Sequence, residues 1–431
     1  MKRYESYKPS GILWIGEIPS HWETIKLKNL FLSFSNGTTA EQIRTGETEF
    51  PVTRIETISS GKINKNKVGY VHHFPMIEKF LLKSYDILLS HINSYEKIGN
   101  FAIVTENDLP IYHGMNLLRL IPREESISNY AQFYFKSLFF IRTMQCFCKP
   151  AINQVSVSSS KIKDILIPIP PLEEQKRIVE YLSTKTSLID AQQSAREKEI
   201  RLLEELKQAE IANVVTRGLN PDVPMKDSGI PWIDKIPAHW EVKRLGAFFN
   251  DNISSNSDYK FDRAYKFNYG TIVPKNELGD VSDLRETYLK YSVLKQDDII
   301  INGLNLNYDF VSQRVAISPI DCIITSAYIV LRPSSYTYSK YFLQLFKAMD
   351  SKKLFHGMGT GIRLTLSFNE LKSQKLPIPP IEEQREIVEY IEQKNKAIDD
   401  MIANLRAEID FLTEYKQRLI ADAVTGQIKI D

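Results

Sequence analysis

Two stretches of more than forty residues without glycine or proline place the strongest constraint on how this chain can fold. Each follows a double proline, and they open with Leu-Glu-Glu-Gln at 172–175 and Ile-Glu-Glu-Gln at 381–384. Proline at the first helical position is preformed for a helix, and paired glutamates favour the positive end of the helix dipole. The pattern predicts that a long helix begins at each place.

The two predicted helices also end alike, because Val-Thr lies just before Gly218 in one and Gly426 in the other. Glycine readily adopts the left-handed conformation that ends many helices. Both helices, over 171–216 and 380–425, span 45 positions. At about 1.5 Å per residue each would reach roughly 65 Å. The sequence therefore predicts two long helices of equal length.

A seven-residue hydrophobic repeat indicates that these helices pair as a coiled coil. The repeat is regular in the second helix, whereas in the first Gln193 and Arg196 replace Ile402 and Leu405. Any two long amphipathic helices could show such a stripe, so the helices alone do not decide the function. The residues predicted for the seam are Ile189, Ile200, Leu203, Ile398, Ile402, Leu405, Ile409, Leu412 and Leu419.

A second repeated motif shows that the whole chain is a tandem duplication. Trp-Ile-x-x-Ile-Pro-x-His-Trp occurs at 14–22 and again at 232–240, an offset of 218, and the helix starts are offset by 209. The second globular segment is therefore nine residues shorter, while the framework around it is kept. Matching frameworks with unlike interiors favour one architecture that presents two different recognition surfaces.

The histidines of this motif, His21 and His239, are candidate catalytic or metal-binding residues because each precedes a tryptophan in a repeated pattern. The alternating apolar residues that follow favour a structural role instead. We expect the tryptophans to pack the start of each domain against its core. The histidines are expected to make local hydrogen bonds.

The charge of the chain is unevenly distributed between the globular segments and the predicted helices. Segments 24–170 and 242–375 each carry an excess of five basic residues, whereas the helical runs 173–213 and 382–418 are mildly acidic. Two basic bodies joined by acidic helices fit a protein that contacts a polyanion at two places. An excess of five is modest, and an ordinary solvated surface is the alternative explanation.

The remaining composition excludes several classes of protein. The three cysteines, Cys146, Cys148 and Cys322, lack the partners of a zinc site and are predicted to be buried free thiols. No apolar run of eighteen residues and no secretory signal occur, so we expect a soluble, cytoplasmic protein without a membrane segment.

No catalytic motif is recognisable. The sequence lacks the GxxxxGK[ST] phosphate-binding loop, the Asn/Asp-Pro-Pro-aromatic tetrapeptide of amino-methyltransferases, and a nuclease-type carboxylate cluster. The glycine-rich segment 357–361 follows a predicted helix and is interpreted as a flexible loop. Together these absences favour a binding protein with no catalytic residue, metal or cofactor of its own.

Each globular body is predicted to mix α and β structure. In both bodies short β-type runs come first, and a helix with an apolar face follows them. The predicted strands are 50–55, 86–90, 101–105 and 116–121 in the first body and 298–301, 314–317 and 322–331 in the second, and the predicted helices are 129–146 and 339–355.

The duplication, the Trp-Ile-x-x-Ile-Pro-x-His-Trp motif and the Pro-Ile-Pro-Pro-Leu/Ile-Glu-Glu-Gln helix starts at 168–175 and 377–384 together resemble the specificity (S) subunit of type I restriction-modification enzymes. The resemblance covers nearly the whole chain. It implies an α+β fold in which two mixed α/β target-recognition domains are separated by two long antiparallel helices that form a coiled coil, with an internal pseudo-two-fold repeat.

The resemblance implies that the chain divides into four segments. These are a first target-recognition domain at 1–168, a first spacer helix at 169–217, a linker with the second recognition domain at 218–376, and a second spacer helix with the C-terminal tail at 377–431.

The same resemblance implies a sequence-specific DNA-binding subunit of a bacterial defence system. Each domain would read one half-site of double-stranded DNA, and the helices would set the gap between the half-sites. Partners would be methyltransferase (modification) subunits, two in number, and restriction/translocase subunits. S-adenosylmethionine, ATP and Mg would belong to those partners. Two alternatives are a coiled-coil adaptor that docks on proteins and a self-sufficient DNA enzyme.

Candidate DNA contacts are lysines for phosphate and polar loop residues for base edges, since Asn and Gln suit adenine and Arg suits guanine. For each of them a local hydrogen bond at a turn or surface is the alternative role. The candidates are Lys62, Lys65, Lys67, Ser90, His91, Asn93, Lys97, Asn153 and Gln154 in the first body, and Asn302, Asn305, Asn307, Gln313, Arg314, Arg363 and Thr365 in the second.

Overall fold

A computed structural model of the chain describes residues 2–12, 14–43, 50–151, 154–276, 284–308, 313–335, 337–362 and 364–431. The chain divides into two compact units. The first unit comprises Met1–Arg196 with Ala407–Asp431, and the second comprises Glu197–Arg406. Each unit therefore contains one recognition body and parts of both long helices.

The first unit contains thirteen strands and the first five α-helices among its described residues. The strands are β1 (Tyr7–Ile12), β2 (Ile15–Pro19), β3 (Glu23–Lys26), β4 (Phe31–Asn36), β5 (Phe50–Val52), β6 (Gly69–Val71), β7 (Ile87–Leu89), β8 (Ile92–Asn93), β9 (Phe101–Ile103), β10 (Leu118–Pro122), β11 (Lys149–Ala151), β12 (Gln154–Ser156) and β13 (Leu166–Ile169). The helices are α1 (Leu27–Leu30), α2 (Glu125–Lys136), α3 (Leu138–Phe147), α4 (Ser159–Lys163) and α5 (Leu172–Arg217), the last of which continues into the second unit.

The second unit repeats the framework of the first, although the elements inside the two bodies differ. Its strands are β14 (Met225–Ile230), β15 (Ile233–Pro237), β16 (Glu241–Arg244), β17 (Phe249–Asn250), β18 (Tyr265–Asn268), β19 (Thr271–Pro274), β20 (Ser292–Leu294), β21 (Ile299–Ile301), β22 (Val315–Ile317), β23 (Cys322–Ile324), β24 (Ile329–Pro333) and β25 (Lys375–Ile378). Its helices are α6 (Arg285–Tyr288), α7 (Ser339–Ser351), α8 (Phe368–Leu371) and α9 (Ile381–Val424), which continues into the first unit.

The framework sheets of the two units share one strand order. The central antiparallel sheet has the order β4-β10-β7-β9 in the first unit and β17-β24-β21-β22 in the second. A hairpin precedes it in each case, β1-β2 or β14-β15, and the pairs β3-β13 and β16-β25 join the start of each body to the strand just before its long helix. The duplication predicted from the sequence is therefore present in the strand order.

The central strand of each sheet is buried on both faces. Ile87, Leu88 and Leu89 are fully buried, and so are residues 299–301. Because side chains alternate across a strand, Ile87 and Leu89 join the large core beneath α2, whereas Leu88 joins a smaller cluster on the other face. Such continuous apolar runs are what a strand covered on both sides requires.

Several predicted elements differ from the structure. The helix expected over 129–146 is interrupted at Ser137, which ends α2 and caps α3 by accepting a hydrogen bond from Phe140 N at 3.4 Å. The strand expected over 322–331 is divided into β23 and β24 by a turn, and the strand expected over 50–55 ends at Val52. Short polar side chains compete with the backbone for hydrogen bonds and so interrupt regular elements.

The cysteine prediction is also wrong in part. All three thiols are free, but only Cys322 is buried, whereas Cys148 is half-buried and Cys146 is exposed. Cys146 lies in the last turn of α3, where its side chain faces solvent.

Part of the glycine-rich segment 357–361, expected to be a loop, lies in a short 3₁₀ helix, Leu354–Met358. Within the described residues, none of the helices has the length and apolarity needed to cross a bilayer.

The long helices begin and end within one residue of the predicted positions, but they contain 46 and 44 residues and so are not equal in length. Helix α5 starts at Leu172 and α9 at Ile381, each directly after the double proline. Gly218 and Gly426 follow them in the left-handed conformation, with φ values of 74° and 70°. A Cβ atom at Gly218 would lie 3.3 Å from the Trp240 ring, and one at Gly426 would lie 3.3 Å from the Trp22 ring.

We therefore expect Gly426→Ala to destabilise the first unit. A left-handed conformation costs an L-residue about 1–2 kcal/mol, and the added methyl group would also meet Pro19 and Trp22. Thermal unfolding would show a lower midpoint. Gly16→Ala is a suitable control, because a Cβ atom there meets nothing within 4 Å; equal midpoints for the two variants would contradict this account.

Candidate nucleic-acid interface

The long helices run antiparallel to each other within each unit. In the first unit, Gln193 Nε2 donates to Thr413 Oγ1 at 2.7 Å, and Arg196 Nε lies 3.0 Å from Glu408 Oε2. In the second unit, Lys207 Nζ lies 2.7 Å from Asp399 Oδ1. Partner numbers fall on α9 as they rise along α5, which fixes the antiparallel direction.

The predicted seam residues of α9 are apolar, whereas α5 contributes both apolar and polar residues to the seam. Gln193 and Arg196 occupy seam positions of α5, are half-buried, and bond across to α9. Of the predicted seam residues, four are buried, namely Ile189, Ile398, Ile402 and Leu419, and five are half-buried, namely Ile200, Leu203, Leu405, Ile409 and Leu412.

A hydrogen-bonded junction anchors the start of each long helix. In the first unit, Trp22 Nε1 donates to Glu174 Oε1 at 3.2 Å, and His21 Nε2 lies 2.9 Å from Glu174 Oε2. The Tyr4 hydroxyl also donates to this carboxylate. Trp22 is fully buried, as predicted. The prediction that His21 makes a local hydrogen bond is wrong, because Glu174 lies 153 residues away in the sequence.

The second unit repeats this junction. Trp240 Nε1 donates to Glu383 Oε2 at 3.0 Å, and His239 Nε2 lies 2.8 Å from the same oxygen. The joint repetition of the His-Trp and Glu-Glu-Gln motifs is the sequence signal that corresponds to this contact.

Buried tyrosines in α2 and α7 tie each body to a second helix end. The Tyr130 hydroxyl lies 3.0 Å from Pro168 O and 3.3 Å from Val424 O, at the end of α9. The Tyr341 hydroxyl lies 3.1 Å from Val215 O and 3.2 Å from Pro377 O. Burial raises the pKa of both hydroxyls well above the usual value, so both remain protonated donors.

The predicted contact loops occupy equivalent places in the two units. Ser90 directly follows the central strand β7, and Asn302 directly follows β21. A second segment lies beside each loop. Asn93 in β8 pairs with Val155 in β12.

In the second unit Leu306 N donates to Leu364 O at 3.1 Å, and Leu366 N donates to Gly303 O at 2.9 Å. We call these the loop pairs, 90–98 with 154–156 and 302–307 with 360–362 and 364–366. The structure thus brings together predicted residues that are about 60 positions apart in the sequence.

The first loop pair has a buried base and an exposed rim. Ser90 and His91 are buried, and burial lowers the pKa of His91, so this imidazole carries no charge near neutral pH. Asn93 is half-buried and donates from Nδ2 to Ser90 Oγ at 2.9 Å. Lys97 and Gln154 are exposed. The rim can therefore reach a ligand, whereas the base holds the loop.

The predicted lysines of the first body lie on a separate segment. Lys62, Lys65 and Lys67 are all exposed, and Lys65–Lys67 is a 3₁₀ helix whose preceding residue, Asn64, accepts a hydrogen bond from Asn66 N at 3.0 Å. This arrangement presents ammonium groups to solvent.

The second loop pair is organised around Arg314. Its guanidinium is buried and donates to the carbonyl oxygens of Asn302, Leu304 and Asn305 at 3.0, 2.7 and 3.2 Å, respectively. Arg314 therefore points into the protein and shapes the loop. The exposed residues around it are Asn305, Asn307, Gln313 and Thr365, and Asn302 is half-buried.

Two predicted contacts, Asn153 and Arg363, lie outside the described residues. Two exposed aromatic residues were missed. Tyr95 on the first loop is 52% exposed, and Tyr269 at the tip of the β18-β19 hairpin is 70% exposed. The signal for Tyr269 was its position before Gly270 in a short polar turn. Among the described residues, no group of three or more His, Cys, Asp or Glu side chains could hold a metal ion.

Two units of one topology, each combining a mixed α/β body with parts of two long antiparallel helices and an unlike loop pair, define a tandem-repeat recognition protein. The family described as the type I restriction modification DNA specificity domain matches residues 19–202 and 237–410. The chain belongs to this family. It is thus a non-catalytic specificity component, as the sequence motifs predicted.

Individual relatives agree with this assignment. A protein of Methanocaldococcus jannaschii named as the specificity subunit of the type I restriction enzyme MjaX is 32% identical over 427 residues, which cover 96% of each chain. Among solved structures, the HsdS subunit from Thermoanaerobacter tengcongensis is similar in fold, with a TM-score of 0.52, 18% identity and coverage of 95% and 98% of the two chains.

A chain from a structural study of complex assembly in the type I R-M system is also similar, with a TM-score of 0.65, 18% identity and coverage of 95% and 99%. The predicted α+β fold with two long paired helices is confirmed.

The geometry of Arg314 predicts the effect of Arg314→Lys. A lysine cannot serve three carbonyl oxygens at once, and each buried acceptor left without a donor costs about 1–3 kcal/mol. We expect faster amide hydrogen exchange across 302–307. Arg332→Lys is the control, since Arg332 pairs with Asp298 at 2.7 Å elsewhere in this unit. Unchanged exchange in the Arg314 variant would show that the loop does not depend on it.

Proposed function

We propose that this chain reads a bipartite DNA target, one half-site per recognition domain, and directs partner subunits that methylate adenine and cleave DNA. Membership of the DNA specificity family supports a role in a complex with DNA and with modification and restriction subunits. The observation that supports bipartite reading best is the pairing of equivalent frameworks with unlike polar loop pairs. A protein-docking adaptor would need no such divergence.

The loop pairs are the proposed reading surfaces. Their exposed amides and the exposed Lys97 and Gln313 fit hydrogen bonding to base edges in the major groove, whereas Lys62, Lys65 and Lys67 fit phosphate contacts that fix position. Ser90, His91 and Arg314 would act by holding the loops. The proposed recognition domains are 1–168 and 218–376, and the proposed spacer segments are 169–217 and 377–431.

The proposed division of labour leaves the chemistry to the partners. S-adenosylmethionine would be bound by modification subunits, and ATP and Mg would be used by restriction subunits. Two equivalent frameworks in one chain favour two modification subunits, one for each half-site. Binding one half-site makes binding of the other intramolecular, so modest affinities combine through effective concentration.

Replacing residues 24–165 with the corresponding domain of another such subunit should change one half-site and leave the other intact. The chain, assembled with its modification subunit, would be used to select duplexes from a random pool, and the selected sequences would be compared with those of the wild type. A change in both half-sites would contradict modular reading. No preference in the wild type would refute the proposed function itself.

Removing residues 195–201 and 404–410 together should shorten the gap between the half-sites. These heptads are equivalent in the repeat, and Arg196 and Glu408 within them pair across the helices. Seven residues span about 10 Å of helix, which corresponds to about three base pairs at 3.4 Å each. The half-site sequences should not change. Deleting only one heptad is the control and should abolish specific binding, whereas an unaltered gap in the double deletion would exclude this role of the helices.

A further inference from the structure

A cavity of about 290 Å³ in the second unit lies next to Arg314, the residue that holds the second loop pair. Its walls come from α5, the β18-β19 hairpin, α7 and α9, and they include Gln313, Gln344 and the exposed Tyr269. Two lysines, Lys207 and Lys347, also line it. The cavity therefore opens beside the β18-β19 hairpin, and two lysines lie on its walls.

The charges around this cavity are not balanced. Lys207 is paired with Asp399 at 2.7 Å, but Lys347 forms no ion pair within the described part of the chain. Asp350 also lines the cavity, is buried, and accepts a hydrogen bond from Arg314 N at 2.7 Å. The cavity lining therefore carries two ammonium groups, Lys207 and Lys347, and one carboxylate, Asp350.

The surroundings of Lys347 disfavour the charged form of its side chain. Burial and the neighbouring Lys207 lower the pKa of Lys347, in that order of importance. A half-buried ammonium beside a second ammonium loses hydration without gaining an opposite charge. An anion bound in the cavity would supply that charge.

The first unit has an equivalent pair of lysines, although Lys136 is exposed where Lys347 is half-buried. Lys136 lies six residues after Tyr130, just as Lys347 lies six residues after Tyr341, and these tyrosines make matching contacts. Lys416 pairs with Asp190 as Lys207 pairs with Asp399.

Burial lowers the pKa of Lys136, and the nearby Lys416 and Lys62 lower it further, while Asp190 opposes them. Within the described residues, the Lys136 ammonium bonds to Gln132 Oε1 at 3.4 Å and lies 5.2 Å from the Phe133 ring.

A feature shared by both units cannot be what distinguishes their targets. The loop pairs differ, whereas the lysine pairs recur on the repeated framework. Phosphate is the one anionic group of DNA that is present whatever the base sequence, and lysine binds it as a point charge. We infer that Lys347 with Lys207, and Lys136 with Lys416, form a duplicated site for a phosphate of the bound DNA backbone. The inference rests on the proposed function, and it assigns these residues affinity without sequence preference.

The test measures DNA affinity against salt concentration for the assembled complex with its own target duplex. Each phosphate contact contributes about 0.9 to the slope of log K against log salt. We expect Lys347→Gln and Lys136→Gln each to reduce this slope by about one, and the double variant by about two. If wild type and variant bind equally at 1 M salt, a slope reduced by about 0.9 makes each single variant bind about eightfold more weakly at 0.1 M salt. The selected target sequence should stay unchanged.

Two comparisons make the result specific. Lys340→Gln removes the same charge from the same helix, where Lys340 faces Glu392 at 3.5 Å, and should leave the slope unchanged. Lys347→Arg keeps the charge and should retain the wild-type slope.

A wild-type slope in the Lys347→Gln and Lys136→Gln variants, with unchanged thermal midpoints, would overturn the inference. So would an altered half-site, which would make these lysines readers of bases. If the wild type showed no sequence preference, the proposed function would fail, but a reduced slope in the variants would still support phosphate binding.

Discussion

The architecture depends on one buried contact that occurs twice, the hydrogen bonds between a tryptophan and the second glutamate of a long helix. A carboxylate is costly to bury, but Glu174 lies in the first turn of α5, where the helix dipole favours negative charge, and it accepts hydrogen bonds from Trp22 and Tyr4. The contact joins the beginning of the recognition body to the helix that leaves it. Glu383 and Trp240 do the same in the second unit.

The same tryptophans also receive the end of the other helix. Gly426 packs on Trp22, and Gly218 packs on Trp240, so three chain segments meet at each junction. The core of the first unit includes Leu419 and Val424 from α9. Fully burying such side chains contributes about 1.5–3 kcal/mol each. Each recognition body is therefore completed by residues that the sequence places in the other repeat.

Much of this framework could be predicted because it depends on local chemistry. Double prolines, paired glutamates and terminal glycines mark the ends of α5 and α9, and continuous apolar runs mark the central strands. The break at Ser137 was missed because a serine within an apolar helical pattern caps a helix only when its side chain turns back to the backbone. The exposure of Cys146 and the distant partner of His21 depend on packing between segments far apart in sequence.

The candidate site was harder to predict for a related reason. Sequence patterns identified loops rich in Asn, Gln and Arg, but they could not show which donors the protein uses internally. The Arg314 guanidinium donates its hydrogen bonds to three loop carbonyl oxygens, whereas Gln313 beside it is exposed.

Lys136 and Lys347 were missed because each lies in an apolar helix and looks like an ordinary surface charge. Only the fold places Lys347 on a cavity wall with Lys207, and only the duplication shows that Lys136 and Lys416 repeat the pattern. Repetition separates two kinds of residue in this protein. Positions that differ between the units can carry sequence preference, whereas charged positions that recur in both units fit contacts that every target shares.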